Sequence, residues 1–522
     1  MKKTIRSDSP SPASSASKAI FMSLISGVLL FLSFPKFGLG IIAWVALLPL
    51  FAALRDASTV KNAFFLGWLT GCVAYVGTLY WIVYVVVNYG RMPVYLGIAC
   101  MLLLVAYLSV YLGLFAAGLV FLRDKIPVFI SAPFLWLATE HLKSTVITGF
   151  PWENLGYSQF NNFYLIQLAD ITGVAGLSFL IVLFNVSIFR LLGERSKRSI
   201  VLTACVCLIV AAVYVYGFVR VGQVKEAIKN TTQVNVSLVQ GNIDQSVKWS
   251  PNYQQETIDI YEALSLKGDP GKEGLIIWPE TAVPFNFEME SIMRRRVQRV
   301  AAAAGKWLVL GAVSYNPQKR KDYFNSAYLL SPDGSIRGRY DKVHLVPYGE
   351  YVPLRNVFPF ISSLAAGIGD FGRGSGYYPL EMGKEKIGVL ICYEGILAQA
   401  GRAYKNNGAT LLVNITNDAW FGKTSAPYQH LSMATFRAVE TRLYLVRAAN
   451  TGVTAIIDPC GKIIGHTDIF KKDVVHGKIS YIDVPSFYAR YGEWPVWLSF
   501  IAVALFFVLN LIWRIKHVRR KH

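Results

Sequence analysis

The sequence predicts a multi-pass α-helical membrane bundle of about eight spans, interrupted before the last span by a layered α/β domain. Three observations carry this. Hydrophobic residues make up 53% of the 522 residues and charged residues only 16%, against about 25% charged in soluble domains. Apolar runs near the roughly 20 residues that a bilayer needs fill residues 19–219 and recur at 494–513. Between them, short β-rich runs alternate with helical ones, as α/β layering requires.

The elements follow in order. Residues 1–18, rich in Ser, Pro and Lys, read as a disordered cytoplasmic tail. The run from Ala19 is a span rather than a signal peptide, because further apolar stretches follow at once. Spans are expected at 19–34, 38–54, 62–87, 93–122, 127–142, 171–190, 199–218 and 494–513, with a tight turn at Pro35–Gly38. The fifth is short and runs into Glu140, His141 and Lys143. A catalytic α/β domain then occupies 220–493 and a basic tail 514–522. The formal charge of +20 is clustered at helix ends: Lys2, Lys3, Arg6 and Lys18; Arg55 and Lys61; Arg123 and Lys125; Arg190 to Arg198; and Arg514 onwards. Such placement sets topology and argues against nucleic acid as a partner. Both termini are expected in the cytoplasm, with 220–493 on the far side.

The six cysteines show no disulfide framework, and Cys205 and Cys207 lack a companion His or Cys, so no metal site is expected. In the α/β segment, strands are expected at Val234–Val239, Gly274–Trp278, Trp307–Val313, Lys386–Ile391, Thr410–Ile415 and Thr454–Ile457. Helices are expected at Ser291–Ala304 and Ala426–Arg447.

Three motifs place a reactive side chain at or just after a strand end: Trp278–Pro284 with Glu280, Tyr340–Pro347 with Lys342, and Val389–Glu394 with Cys392. A thiol must become a thiolate to attack a carbonyl, and a neighbouring carboxylate can take its proton. A lysine can offset charge on a tetrahedral intermediate. Singly, each residue also has a structural reading: a buried cysteine, a helix-capping glutamate, a surface lysine paired with Asp341. Their joint occurrence, in order and beside Pro, Gly and aromatic residues, favours acyl transfer.

These motifs resemble the nitrilase (carbon–nitrogen hydrolase) superfamily, and together with the bundle they resemble the apolipoprotein N-acyltransferase family of the bacterial inner membrane. Val239–Ile243 with Trp249, Pro347–Pro353 and Asn414–Gly422 extend the likeness, while Asp244 stands where the family often has Pro. The resemblance implies an α-β-β-α sandwich on a membrane bundle. It implies that Glu280 is base and acid, Lys342 the oxyanion partner and Cys392 the acyl-carrying nucleophile. The acyl donor would be a phospholipid, the acceptor a diacylglyceryl-apolipoprotein, with no cofactor and a monomeric enzyme. By the same carry-over Glu350 is a second carboxylate near Lys342, Tyr393 and Glu394 shape the pocket, and Trp249 and Asn325 are further site candidates.

Bland readings compete at several of these positions. Glu350 could close a turn. Glu394, two residues beyond Cys392, would share its face in an extended chain, as pocket wall or as a charge tuning the thiol. His344 reads as structural, and His430 sits in a helix with no evident partner. Arg294, Arg295, Arg296 and Arg299 read as a solvated helix face. The apolar then Gly-rich stretch from Val357 to Gly376, with Phe358 and Phe360, is expected to be a lipid-dipping arm or else a buried loop. Gly149–Asn154, with Glu140, His141 and Glu153 around it, is expected to floor the site. Two other functions remain open: a membrane-tethered amidase using water, and a non-catalytic lipid-binding protein.

Overall fold

The computed structural model describes residues 12–267, 271, 273–316, 319–351 and 371–519. Its first part is helical: α1 (Pro12–Leu32), α2 (Leu48–Arg55), α3 (Val60–Leu79), α4 (Trp81–Asn88), α5 (Val94–Leu122), α6 (Val128–Thr145), α7 (Ala169–Glu194) and α8 (Lys197–Lys229). In α1, helical residues begin at Pro12, ahead of the span expected from Ala19. The α/β part adds α9 (Pro251–Leu266), α10 (Ser291–Ala304), α11 (Ala398–Asn406), α12 (Ala426–Thr441) and α13 (Phe487–Tyr491), and α14 (Trp494–Arg519) follows.

Among the described residues, five helices are long and apolar enough to cross a membrane: Val60–Leu79, Val94–Leu122, Leu165–Glu194, Lys197–Lys229 and Trp494–Lys516. Helices also stand at the other three expected spans, but they are weaker candidates. Ala16–Leu32 and Gly40–Arg55 are apolar and shorter. The second is broken, because Gly40–Trp44 forms a 3-10 turn and α2 restarts at Leu48 with Pro49 in its first turn. The helix α6 carries Glu140, His141 and Lys143 near its end.

The strands are β1 (Gln233–Gln240), β2 (Gly274–Ile277), β3 (Val283–Asn286), β4 (Trp307–Asn316), β5 (Lys319–Leu330), β6 (Ile336–Asp341), β7 (Leu380–Met382), β8 (Glu385–Ile391), β9 (Leu411–Thr416), β10 (Leu445–Ala449), β11 (Ala455–Ile457), β12 (Ile463–His466) and β13 (Asp473–Ser480). They form two sheets, ordered β13-β1-β2-β4-β5-β6 with β3 beside β4, and β12-β11-β10-β9-β8-β7. Side-chain alternation explains the layering. Leu275 and Ile277 of β2 join a core shared with Val389, Ile391, Val413 and Ile415 of the other sheet. Ile276, with Trp278 just beyond the strand, faces the opposite way and packs under Ile258 and Tyr261 of α9 and Val297 and Val300 of α10. This is the expected α-β-β-α sandwich.

One expectation fails. The helix expected through Arg447 ends at Thr441, where Arg442 takes a left-handed conformation (φ 55°). The chain then enters β10, parallel to β9, with Val446 opposite Val413. The apolar Leu445–Val446 pair gains more as buried strand than as helix end.

All of α12 except the half-buried Tyr428 is buried, because it lies between the second sheet and the bundle. Gln429 donates to Pro35 O at 2.9 Å, and Tyr157 of the bundle meets Phe436 edge-on at 5.0 Å. Asp170 on α7 ties the two parts together, accepting from Arg220 of α8 (2.8 Å), Arg442 (2.9 Å) and the Tyr216 hydroxyl (2.6 Å).

Candidate active site

The site is assembled at the ends of strands. Glu280 follows β2, Lys342 follows β6, Cys392 follows β8 and Asn417 follows β9. Neighbouring strands of one sheet, and the two sheets facing each other, therefore deliver these four residues to one place. Cys392 opens a short 3-10 turn (Cys392–Ile396) and has φ 53°, a sparsely allowed conformation for a residue with a Cβ. Such strain is held where the surroundings over-determine it.

Glu280, 7% exposed, is pinned through both oxygens. Asn325 Nδ2 donates to Oε1 at 2.7 Å and the Asn417 N–H donates to Oε2 at 2.9 Å. The same Asn325 amide donates to Glu350 Oε1 at 2.9 Å. Lys342, buried, has Nζ 2.8 Å from Glu350 Oε2 and 4.0 Å from Glu280 Oε1. Burial alone would lower the Lys342 ammonium; Glu350, then Cys392 and Glu280, outweigh it and raise it above its usual value, so it stays charged. Burial, and next Glu280, push the Cys392 thiol well up, with Lys342 opposing. The resting thiol is therefore neutral and needs a base, and Glu280 is the adjacent carboxylate.

The structure thus brings Glu280, Lys342, Cys392, Glu350 and Asn325 together. Glu350 has a double task, since Oε2 also accepts from the Val346 N–H at 2.9 Å and closes its own turn. Tyr393 lies between rings, with His344 at 5.7 Å and Trp152 at 6.4 Å, both near-parallel. Trp249 stands 46% exposed. Phe358 and Phe360 lie outside the described residues.

Two expectations need correction. Glu394 neither walls the pocket nor shares the thiol's face, because the chain after Cys392 is a 3-10 turn rather than extended. Fully buried, it accepts from the N–H groups of Val343 (2.8 Å), His344 (2.9 Å) and Ile391 (2.9 Å) and from the Tyr340 hydroxyl (3.0 Å). It clamps the Lys342 turn to the Cys392 turn. Burial raises its carboxyl to about 7 despite these donors. His430 is not partnerless either. Its Nε2 lies 3.1 Å from Cys392 O, and its Nδ1 lies 3.1 Å from both Asp418 Oδ1 and Arg447 Nη2. A carbonyl can only accept, so Nε2 carries the proton. Burial, then Arg447, lower the His430 pKa and favour the neutral ring.

Sequence reasoning also missed Lys248, fully buried, whose Nζ reaches Thr281 Oγ1 at 2.9 Å and Glu280 O at 3.4 Å. The Gln240–Trp249 stretch carried a signal, but it drew attention to the exposed indole beside it. Gly149–Asn154 does lie under the site: Trp152 donates to Gln429 Oε1 at 2.9 Å and packs against Trp81, Tyr393, Phe421 and His430. Two of the four arginines of α10 make local pairs, Arg296 with Glu262 at 2.7 Å and Arg294 with Glu288 O at 2.7 Å. Among the described residues no group of three or more His, Cys, Asp or Glu side chains could hold a metal.

Comparison with known proteins matches both halves. Residues 26–187 fit the family model for the apolipoprotein N-acyltransferase N-terminal domain, and 235–487 fit that for carbon-nitrogen hydrolase. The chain is 44% identical over 512 residues to an apolipoprotein N-acyltransferase of Geobacter metallireducens, covering 96% of each. It is 33% identical to that of Methylococcus capsulatus, covering 92% of this chain and 93% of the relative. Among solved structures it is similar to a carbon-nitrogen hydrolase from Helicobacter pylori G27, at 16% identity and TM-score 0.38, over 48% of this chain and 89% of that one.

Proposed function

Because this chain belongs to the apolipoprotein N-acyltransferase family, a family of lipoprotein-acylating membrane enzymes, we propose that it works by a two-step exchange through an acyl thioester on Cys392. In the first step Glu280 takes the thiol proton and the thiolate attacks the sn-1 ester carbonyl of a phospholipid. Lys342 Nζ, with the backbone N–H after the nucleophile, holds the oxyanion. The C–O bond breaks, Glu280 returns the proton to the departing glycerol oxygen, and a lysophospholipid leaves. In the second step the neutral α-amine of a diacylglyceryl-cysteine attacks the thioester. Glu280 takes the amine proton, the amide forms and the thiol is regenerated. Nothing beyond the two substrates is consumed, so no cofactor is needed.

The observation that carries this reading is the Glu280 carboxyl, held by Asn325 and Asn417 beside a half-buried neutral thiol and a charged Lys342. Supporting roles go to Glu350, which keeps Lys342 charged and aimed, and to Glu394 and Tyr393, which set the turns. The arm with Phe358 and Phe360 is assigned to lipid entry, and Trp249 to the exposed rim.

For the whole molecule we assign eight spans, a bundle over 19–219, a catalytic domain over 220–493 and a last span at 494–513. The cation clusters support cytoplasmic termini and a periplasmic catalytic domain in the inner membrane of a bacterium, and the enzyme is assigned as a monomer. Intact-mass analysis of detergent-purified protein incubated with phospholipid tests the chemistry. A fatty-acyl gain removed by hydroxylamine and absent in Cys392→Ser is expected. Adding a diacylglyceryl lipopeptide should discharge it, and discharge by water alone at the same rate would point to a hydrolase instead.

A further inference from the structure

Lys248 is a fully buried lysine that the chemistry above does not use. It sits in the loop after β1, and that loop is locked to the site from behind. Asn242, with φ 51°, donates its N–H to Asn450 O at 2.9 Å, and the Asn450 side chain returns two bonds to Ile243. Gln245 Oε1 accepts from Asn417 Nδ2 at 2.7 Å, and the Asn417 N–H holds Glu280 Oε2. Lys248 Nζ reaches Glu280 O and the hydroxyl of Thr281, itself in a left-handed conformation with φ 46°. An ammonium out of water is costly unless a negative group nearby needs it. Burial draws Lys248 down to about 8, with Glu280 opposing, so it is charged at neutral pH.

We propose that Lys248 is a positioning residue for the acyl-transfer reaction: its ammonium, held on Glu280 O and the Thr281 hydroxyl, fixes the Glu280–Thr281 turn and so aims the Glu280 carboxyl at the Cys392 thiol. The charged and titratable groups facing Glu280 are then Lys342 at 4.0 Å, the Cys392 thiol, Glu350 across the shared Asn325 amide, and Lys248 behind it. Lys342 is already committed to Glu350 at 2.8 Å. Lys248 is therefore left to hold the backbone of the turn.

The inference rests on Glu280 being the base. The test measures the rate of Cys392 acylation and its KM for phospholipid in the full-length enzyme, in phospholipid-containing micelles at neutral pH. Lys248→Met keeps the length of the side chain and removes its donors, so acylation should fall about a hundredfold with KM unchanged, as a displaced base requires. Lys248→Arg should recover most of the rate. An unchanged rate in Lys248→Met, or a loss in Lys248→Arg equal to that in Lys248→Met, would overturn the proposal. No acylation in the parent enzyme would instead sink the Glu280–Cys392 reading itself. If the Met variant does not fold, as judged by thermal unfolding, Thr281→Val serves: it removes the hydroxyl that receives the ammonium, acylation should again fall, and an unchanged rate there would overturn the proposal.

Discussion

Glu394 shows how one carboxyl can decide where a lysine and a cysteine stand. Its oxygens accept from three backbone N–H groups and one hydroxyl, joining the turn after β6 to the turn after β8. Glu394→Gln replaces one oxygen with an NH2 that must face a backbone donor. An orphaned buried donor costs about 1–3 kcal/mol, so a lower melting temperature in detergent and loss of acylation are expected together; an unchanged enzyme would refute the clamp. At Cys392, burial and Glu280 raise the thiol. Alkylation by iodoacetamide should therefore climb about tenfold per pH unit between 7 and 9 without a plateau, and a plateau near pH 7 would mean a thiolate at rest. The proximity of Glu280, Lys342 and Cys392, the proposed reactive trio, was legible because each stands in a distinctive motif at a strand end. Glu394's task was not, since an extended chain was assumed where the backbone turns. Lys248 was not either: a lysine in a polar loop reads as solvated, and its burial depends on Asn417 and Asn450, far along the chain.

At the scale of elements, β4 presses against the segment that carries Glu280. A Cβ on Gly311 would lie 2.6 Å from Pro279 O and from Thr281 N and 2.7 Å from Glu280 Cα. Gly311→Ala should displace the base while leaving the sandwich assembled. Misplacement by about 1 Å can cost on the order of a hundredfold in rate, with circular dichroism expected to stay near the parent; full activity would show that the turn can yield. The strands β1, β2, β4, β8, β9 and β11 could be located from short apolar runs between turn residues, and α10 from its helical pattern. Of the strands not located, β10 lay under an expected helix: only Arg442–Tyr444, opening on a left-handed Arg442, separate it from α12, and nothing in Thr441–Tyr444 announces that break. His430 was misjudged for a related reason, since its partners Asp418 and Arg447 belong to other elements.

Across the whole molecule, composition revealed the membrane part but not how it meets the catalytic part. That junction is α12, buried along its length, and the Asp170 cluster. Asp170→Asn would leave Arg442 buried without its charge partner, a loss of about 3–5 kcal/mol, measurable as a fall in melting temperature. Expressed without the bundle, residues 231–485 should be insoluble or inactive, because the α12 face that meets Tyr157, with Phe436 on it, would be turned to water. A soluble, acylating fragment would show the bundle to be only an anchor. The contact between Trp152 and Tyr393 carries the point further. One indole from the membrane part rests on the residue next to the thiol, so lateral pressure on the helices has a mechanical route to the proposed nucleophile. Turnover should then respond to bilayer thickness, which would make the surrounding lipid a setting of the catalyst as well as its proposed acyl source.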